Sequence, residues 1–309
     1  AKDDYVKFQS FKASKLVSPS AKKAEYQSKN IGDGDDSQFN MLKKLELSHD
    51  DHVELIRYCK EKKIKFFSTA FDTDGVKYLD KLGLELFKVP SGEITNFPYL
   101  REIARTKKLV VLSTGMCTME NVDEAVKVLV RFGCPKENIK ILHCNTEYPT
   151  PMIDVNLKAM LTIGETFGVE VGYSDHTMGI EVPVAAVALG ATVIEKHFTL
   201  DRTLPGPDHI ASLEPDELKS MVSSIRNIEA AISGSGEREP SESEKKNMAI
   251  ARKSIHLINN KKAGEILNEE DLIALRPGGG ISPMKWEEVI GRTLNNDKVA
   301  YDILKAEDI

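Results

Sequence analysis

The chain has 309 residues, 41% of them hydrophobic, and carries a formal net charge of −6 and four cysteines. This length is ample for one large domain or for a large one and a small one, and the acidic balance gives no general attraction to nucleic acid or anionic membrane. No apolar run approaches the ~18 residues of a membrane-spanning helix, and Cys59, Cys117, Cys134 and Cys144 form no CxxC pair, as expected of reduced thiols in a cytoplasmic protein.

Residue 1 is alanine rather than methionine, and YVKFQSF at 5–11 already alternates like a strand, so a preceding segment is expected. The polar stretch from about 12 to 47 has no clear periodicity and reads as a lid or a disordered loop. From Ser48, a candidate N-cap, DDHVELIRYCKEKK has helical spacing. The strand patterns IKFFST, LFKVPS, LVVLST, IKILHC, EVGYS and TVIEKH follow, separated by helical stretches such as FPYLREIARTKK and MENVDEAVKVLVRFG. With the first strand they make seven βα units, a catalytic domain at 1–233. Such alternation predicts an α/β fold with a parallel sheet, and the length favours a TIM (β/α)8 barrel. Seven is one short of eight, so a first strand and helix of roughly 40 residues, about one βα unit, are expected ahead of Ala1. The stretch 234–252, beginning GSGEREPSESEKKNM, breaks the composition and reads as a linker with some helix. Residues 253–309 give short strands and glycine turns, a separate domain too short to bury much core unless it docks elsewhere.

Two strand ends stand out, GYSDHT at 172–177 and VIEKHFTLDR at 193–202, joined by a buried helix with Pro183 in its first turn. A right-handed crossover makes the strands parallel and brings His176 and His197 to the same carboxyl end, where such folds place their chemistry. Two imidazoles side by side could share a divalent cation and leave its other positions to water or substrate. Other strand ends supply Lys7 and Gln9, Ser68 and Thr69, Lys88 and Ser91, Ser113 and Thr114, Asn145 and Thr146, and Ser174. Lysines and hydroxyls without opposing carboxylates suit a phosphate, although each hydroxyl alone also reads as a helix N-cap. Glu93 and Asp208 suit a polar, uncharged ligand such as a sugar. Tyr148 reads as packing in a proline-rich turn. No Walker loop, GxGxxG, GxSxG or HExxH occurs, which leaves nucleotide, hydride and serine-hydrolase chemistry unsupported.

The motifs VKFQSFKA, STAFD, KVPSGEITNFP, LSTGM, HCNTEYPTP, GYSDHT, VIEKHFTLDR, PGPDHIASLEP and LRPGGGI together resemble the sialic acid synthase family, including legionaminic acid synthases. The resemblance implies a TIM barrel followed by an antifreeze-like (SAF) domain. It also implies condensation of phosphoenolpyruvate with an N-acylated mannosamine-type sugar to a nine-carbon 2-keto acid, with release of phosphate. By motif, His176 and His197 would bind Mn2+ or Mg2+. Lys7, Thr69, Lys88, Ser91, Thr146 and Ser174 would hold phosphoenolpyruvate. Gln9, Phe71, Glu93, Tyr148 and Asp208 would contact the sugar, and Arg276 would reach its N-acyl group from the partner subunit of a domain-swapped homodimer. The family's first-strand E-x-G-x-N-H-like motif has no counterpart in these 309 residues. Other phosphoenolpyruvate-dependent 2-keto sugar acid synthases and a non-catalytic sugar-binding protein remain as alternatives.

Overall fold

Strand after strand ends at a residue that starts the next helix, and this local chemistry sets the element order. A computed structural model describes residues 2–309. The order begins with β1 (Tyr5–Ser10), α1 (Ala13–Leu16), α2 (Glu25–Ile31), α3 (Gln38–Lys43), α4 (His49–Glu61) and β2 (Lys65–Ala70). It continues through α5 (Thr73–Lys81), β3 (Leu86–Val89), α6 (Phe97–Thr106), β4 (Leu109–Ser113), α7 (Met119–Arg131) and β5 (Ile139–Cys144). Then come α8 (Lys158–Phe167), β6 (Glu170–Asp175), α9 (Glu181–Ala188), β7 (Val193–Lys196) and α10 (Pro215–Ile232). Ser48 accepts from the Asp51 amide while the Asp51 carboxylate accepts from the Ser48 amide, and Asp72, Asn96 and Thr118 cap α5, α6 and α7 in turn.

All seven strands enter parallel ladders: β1 with β2, and β3 to β7 in sequence order. The buried Tyr99 hydroxyl lies 2.8 Å from the carbonyl of Ala70 and 2.9 Å from that of Lys88, bridging β2 to β3. Among the described residues no ladder joins β7 to β1, but an ion pair between Lys7 and Glu195 spans them at 2.7 Å. This is a TIM-barrel-like fold. Its core lies between strands and helices, where Phe87, Leu112, Ile139 and Ile141 pack with Ile103 and Leu129. Gly172 lets β6 and β7 meet: a Cβ there would stand 2.1 Å from the Val193 carbonyl oxygen.

The stretch 12–47 departs from expectation. It forms three short helices, α1 to α3, with a bridge from Lys22 to Ser37 and a Lys23–Asp33 ion pair of 2.7 Å whose ammonium is buried. These ties join residues ten and fifteen apart, so no local period announces them.

Contacts divide the chain into two units, Ala1–Ser233 and Gly234–Ile309. The second contains α11 (Glu242–Ala251), an antiparallel pair β8 (Ser254–Leu257) and β9 (Leu272–Leu275), and α12 (Trp286–Val289). Gly278 donates to the Ala249 carbonyl at 2.8 Å, so the end of α11 is hydrogen-bonded to the glycine loop of its own unit. Against the expectation of little core, Ile255, Leu257, Leu267, Leu272, Val289, Leu294 and Leu304 form a buried cluster with Trp286 packed on it. The residues come from strands and turns spread across the unit, which no short apolar run reveals. No helix among the described residues is long and apolar enough to cross a membrane.

Candidate active site

Because successive strand side chains alternate, Glu195 and His197 leave β7 on one face and Lys196 on the other. The register sets Ser174 beside Glu195 and Asp175 beside Lys196. On the outer side, Lys196 donates to Asp175 at 2.5 Å and to the Thr177 carbonyl at 2.5 Å, while Thr177 returns two hydrogen bonds to Asp175. This buried network fixes the turn that presents His176.

On the inner side, Glu195 accepts from Lys7 at 2.7 Å, from Lys88 at 2.9 Å and from the Ser174 hydroxyl at 3.1 Å. Lys88 also donates to Ser113 at 2.5 Å. The expectation of lysines without an opposing carboxylate is therefore corrected, and the i, i+2 spacing of Glu195 and His197 was the signal for it. Burial alone would raise the Glu195 pKa, but the two ammonium groups together hold it well below the usual carboxylate range. Burial draws Lys88 below the ordinary lysine value against the pull of Glu195.

The two histidines meet at 5.2 Å between ring centroids. His176 Nδ1 lies 2.5 Å from the Asn145 carbonyl, so it carries the proton and leaves Nε2 free to ligate. Burial pulls His176 down to about 4 and His197, also repelled by His176 and Lys7, to about 3, keeping both imidazoles neutral at pH 7. His197 Nδ1 is 3.8 Å from Asp208 Oδ2. Among the described residues no cluster of three or more His, Cys, Asp or Glu side chains is placed to hold a metal.

Tyr148, which its proline-rich setting alone assigns to turn packing and the family resemblance to the sugar, lies beside both histidines. Its ring stacks on His176 at 4.0 Å and meets His197 edge-on at 5.5 Å. Ser91 and Thr146 converge on Gly115, whose amide donates to Ser91 at 2.9 Å and where a Cβ would lie 2.5 Å from Thr146 Cγ2. Thr69 sits beside Gln9 in register, and its buried Oγ1 has no hydrogen-bond partner among the described residues. Gln9 is exposed, and Phe71 packs edge-on against Phe11. Glu93 accepts from Asn96 at 2.6 Å and is raised above its ordinary pKa by burial; burial raises Asp208 as well. Arg276 belongs to the second unit, where it is exposed. Sequence reasoning also passed over Cys144, buried with its Sγ 3.9 Å from His176 Nδ1.

The parallel-strand fold and this strand-end site define a small-molecule enzyme of the barrel type. A model of the NeuB family matches residues 1–238 and one of the SAF domain matches residues 252–309, and the chain belongs to the NeuB family. It is 52% identical over 289 residues to an N,N'-diacetyllegionaminic acid synthase of Campylobacter jejuni, covering 94% of this chain and 86% of the relative. It is 45% identical over 308 residues to the N,N'-diacetyllegionaminic acid synthase of Legionella pneumophila, covering 99% and 86%. Among solved structures it resembles the N-acetylneuraminic acid (sialic acid) synthetase of Leptospira borgpetersenii, with a TM-score of 0.67, 32% identity and 80% of each chain covered.

Proposed function

We propose that this chain condenses phosphoenolpyruvate with an N-acylated mannosamine-type sugar and water, giving a nonulosonic acid and phosphate. The observation that carries the reading is the convergence of Lys7 from β1 and Lys88 from β3 on one buried point beside Ser174. Two ammonium groups against one carboxylate leave a net positive charge. Each ammonium has three donors, of which Lys7 spends one on Glu195 and Lys88 two on Glu195 and Ser113, so donors remain for an anion. The unpartnered Thr69 hydroxyl, Ser91, Thr146 and Ser174 complete a phosphoenolpyruvate subsite. The N,N'-diacetyllegionaminic acid synthases among its relatives favour a di-N-acetylated acceptor over a mono-N-acetylated one.

His176 and His197, both neutral and with ring centroids 5.2 Å apart, fit a divalent ion such as Mn2+ or Mg2+. When bound, the ion supplies Lewis acidity at the acceptor's aldehyde oxygen. Lys7 and Lys88 orient phosphoenolpyruvate so that its enol carbon faces the aldehyde carbon. The enol pair forms the new C–C bond, the aldehyde oxygen takes up a proton, and water adds at the electron-poor C2. The C2–O bond then breaks and phosphate leaves against the lysines. Gln9, Phe71, Glu93, Tyr148 and Asp208 form the sugar side, where the raised pKa of Glu93 suits a carboxyl that passes a proton.

A cytoplasmic setting agrees with four free cysteines, and a domain-swapped homodimer would bring Arg276 of one subunit to the sugar bound by its partner. The test incubates the protein with phosphoenolpyruvate, Mn2+ and each N-acylated mannosamine-type sugar, reading phosphate release and product mass. Phosphate release that depends on the sugar, with a product whose mass is that of the sugar plus phosphoenolpyruvate plus water less phosphoric acid, is expected; none with any acceptor overturns the reading.

A further inference from the structure

Helix α2 lies in the stretch 12–47, which supplies none of the residues assigned above, yet it reaches the site. Tyr26 stacks on Tyr148 with ring centroids 5.1 Å apart and planes 22° from parallel. Tyr148 in turn stacks on His176 at 4.0 Å and 30°. The three rings form a continuous pile ending on one of the two histidines.

One turn further along α2, on the same face, Asn30 Nδ2 donates to the Pro207 carbonyl at 2.7 Å and approaches the Tyr148 carbonyl at 3.4 Å. These are the loops that carry Tyr148 and Asp208, so one helix face holds both sides of the sugar subsite. Burial and the nearby Asp208 push the Tyr26 phenol up to about 12, so the ring stays neutral in the stack.

We propose that Tyr26 is a positioning residue for the acceptor sugar: through the stack it clamps Tyr148 against His176, and with Asn30 it holds the two acceptor loops at their working separation. The proposal rests on the condensation reading above. It assigns α2 to one substrate only, because Lys7, Lys88 and Ser174 are held by strands and by Glu195, with no bond to α2. A residue that merely stabilised the fold would act on both substrates alike.

The experiment compares full-length, Mn2+-loaded wild-type protein with Tyr26→Ala, Tyr26→Leu and Tyr26→Phe. From the usual worth of an aromatic pair, Tyr26→Ala and Tyr26→Leu should raise the acceptor KM about 3- to 10-fold, with the phosphoenolpyruvate KM moving less than about 2-fold. Tyr26→Phe keeps the stack and should restore the acceptor KM. Equal rises in both KM values, or no change in either, overturn the proposal. Hydrogen exchange of residues 146–150 in the same proteins without substrates judges the clamp apart from the reaction. Faster exchange in the Ala and Leu variants but not in Phe supports the clamp, and unchanged exchange overturns it, even if the wild-type protein condenses nothing. Tyr26→Leu retains bulk and keeps the comparison valid should Tyr26→Ala fail to fold.

Discussion

Glu195 decides the electrostatics of the site, because it receives bonds from both lysines and from Ser174. Glu195→Gln keeps the shape and removes the charge, leaving two ammonium groups facing each other without a counterion. Breaking a buried pair costs about 3–5 kcal/mol, and partial solvent access to this one lowers the expectation to about 2–3 kcal/mol. A lower melting temperature is expected, with millimolar phosphate or phosphoenolpyruvate recovering more of it than in wild type, since the anion takes over the missing charge. An unchanged melting temperature would mean that the lysines do not depend on Glu195. At the imidazole pair, His197→Ala removes one of the two proposed protein ligands. Calorimetric titration should show Mn2+ affinity falling at least about tenfold, with excess Mn2+ failing to restore turnover. Equal Mn2+ affinity in the variant would take His197 out of the metal site.

The strands and most helices were legible because their signals are local: alternation on β1, the cap at Ser48, apolar faces on α6 and α7. The paired histidines were legible for the same reason, each closing a strand pattern. What sequence did not show depends on distant partners. Nothing around Tyr26 or Asn30 announces that they meet Tyr148 and Pro207, more than 100 residues away, and Glu195 matters only once β7 lies against β6 and within reach of β1. Gly172 is a hidden requirement of that meeting. Gly172→Ala would set a methyl 2.1 Å from the Val193 carbonyl oxygen and 2.6 Å from Leu142 Cδ2, and a backbone atom cannot rotate aside. The expected cost is about 3 kcal/mol or more, seen as a lower urea midpoint by circular dichroism, or as insoluble protein. Gly234→Ala, where an added Cβ meets nothing within 4 Å, should leave the midpoint unchanged. A normal midpoint for Gly172→Ala would mean that β6 and β7 can part without cost.

At the scale of the whole molecule, the two units can be followed separately, because the chain's single tryptophan, Trp286, packs on the core of the C-terminal unit. That unit contains a Lys298–Asp308 pair at 2.8 Å and a Lys261–Asp271 pair at 2.9 Å. Burial alone would raise both aspartates, but their lysines and backbone amides lower them below the ordinary value. A depressed folded pKa means that the stabilisation is complete above the unfolded value of about 3.9 and is lost as pH falls through the folded one. Tryptophan emission should therefore lose thermal stability below about pH 4, and Asp308→Asn should flatten that limb; an equally steep limb in the variant would assign the acid sensitivity elsewhere. The proposed exchange of C-terminal units between subunits makes a stronger demand. Arg276 precedes a run of three glycines and offers a planar fork of donors suited to an acyl carbonyl or a carboxylate. If it serves the partner's site, Arg276→Ala and His197→Ala disable different components of each site, and each variant alone should be nearly inactive. In a mixed dimer one site then pairs an intact histidine pair with an intact Arg276, while the other carries both defects. Mixing the variants under conditions that exchange subunits should restore activity toward about half the wild-type value per heterodimer, because only one site in two is complete in a two-fold assembly. Heterodimers confirmed by native mass spectrometry yet without activity would mean that Arg276 acts within its own chain or takes no part.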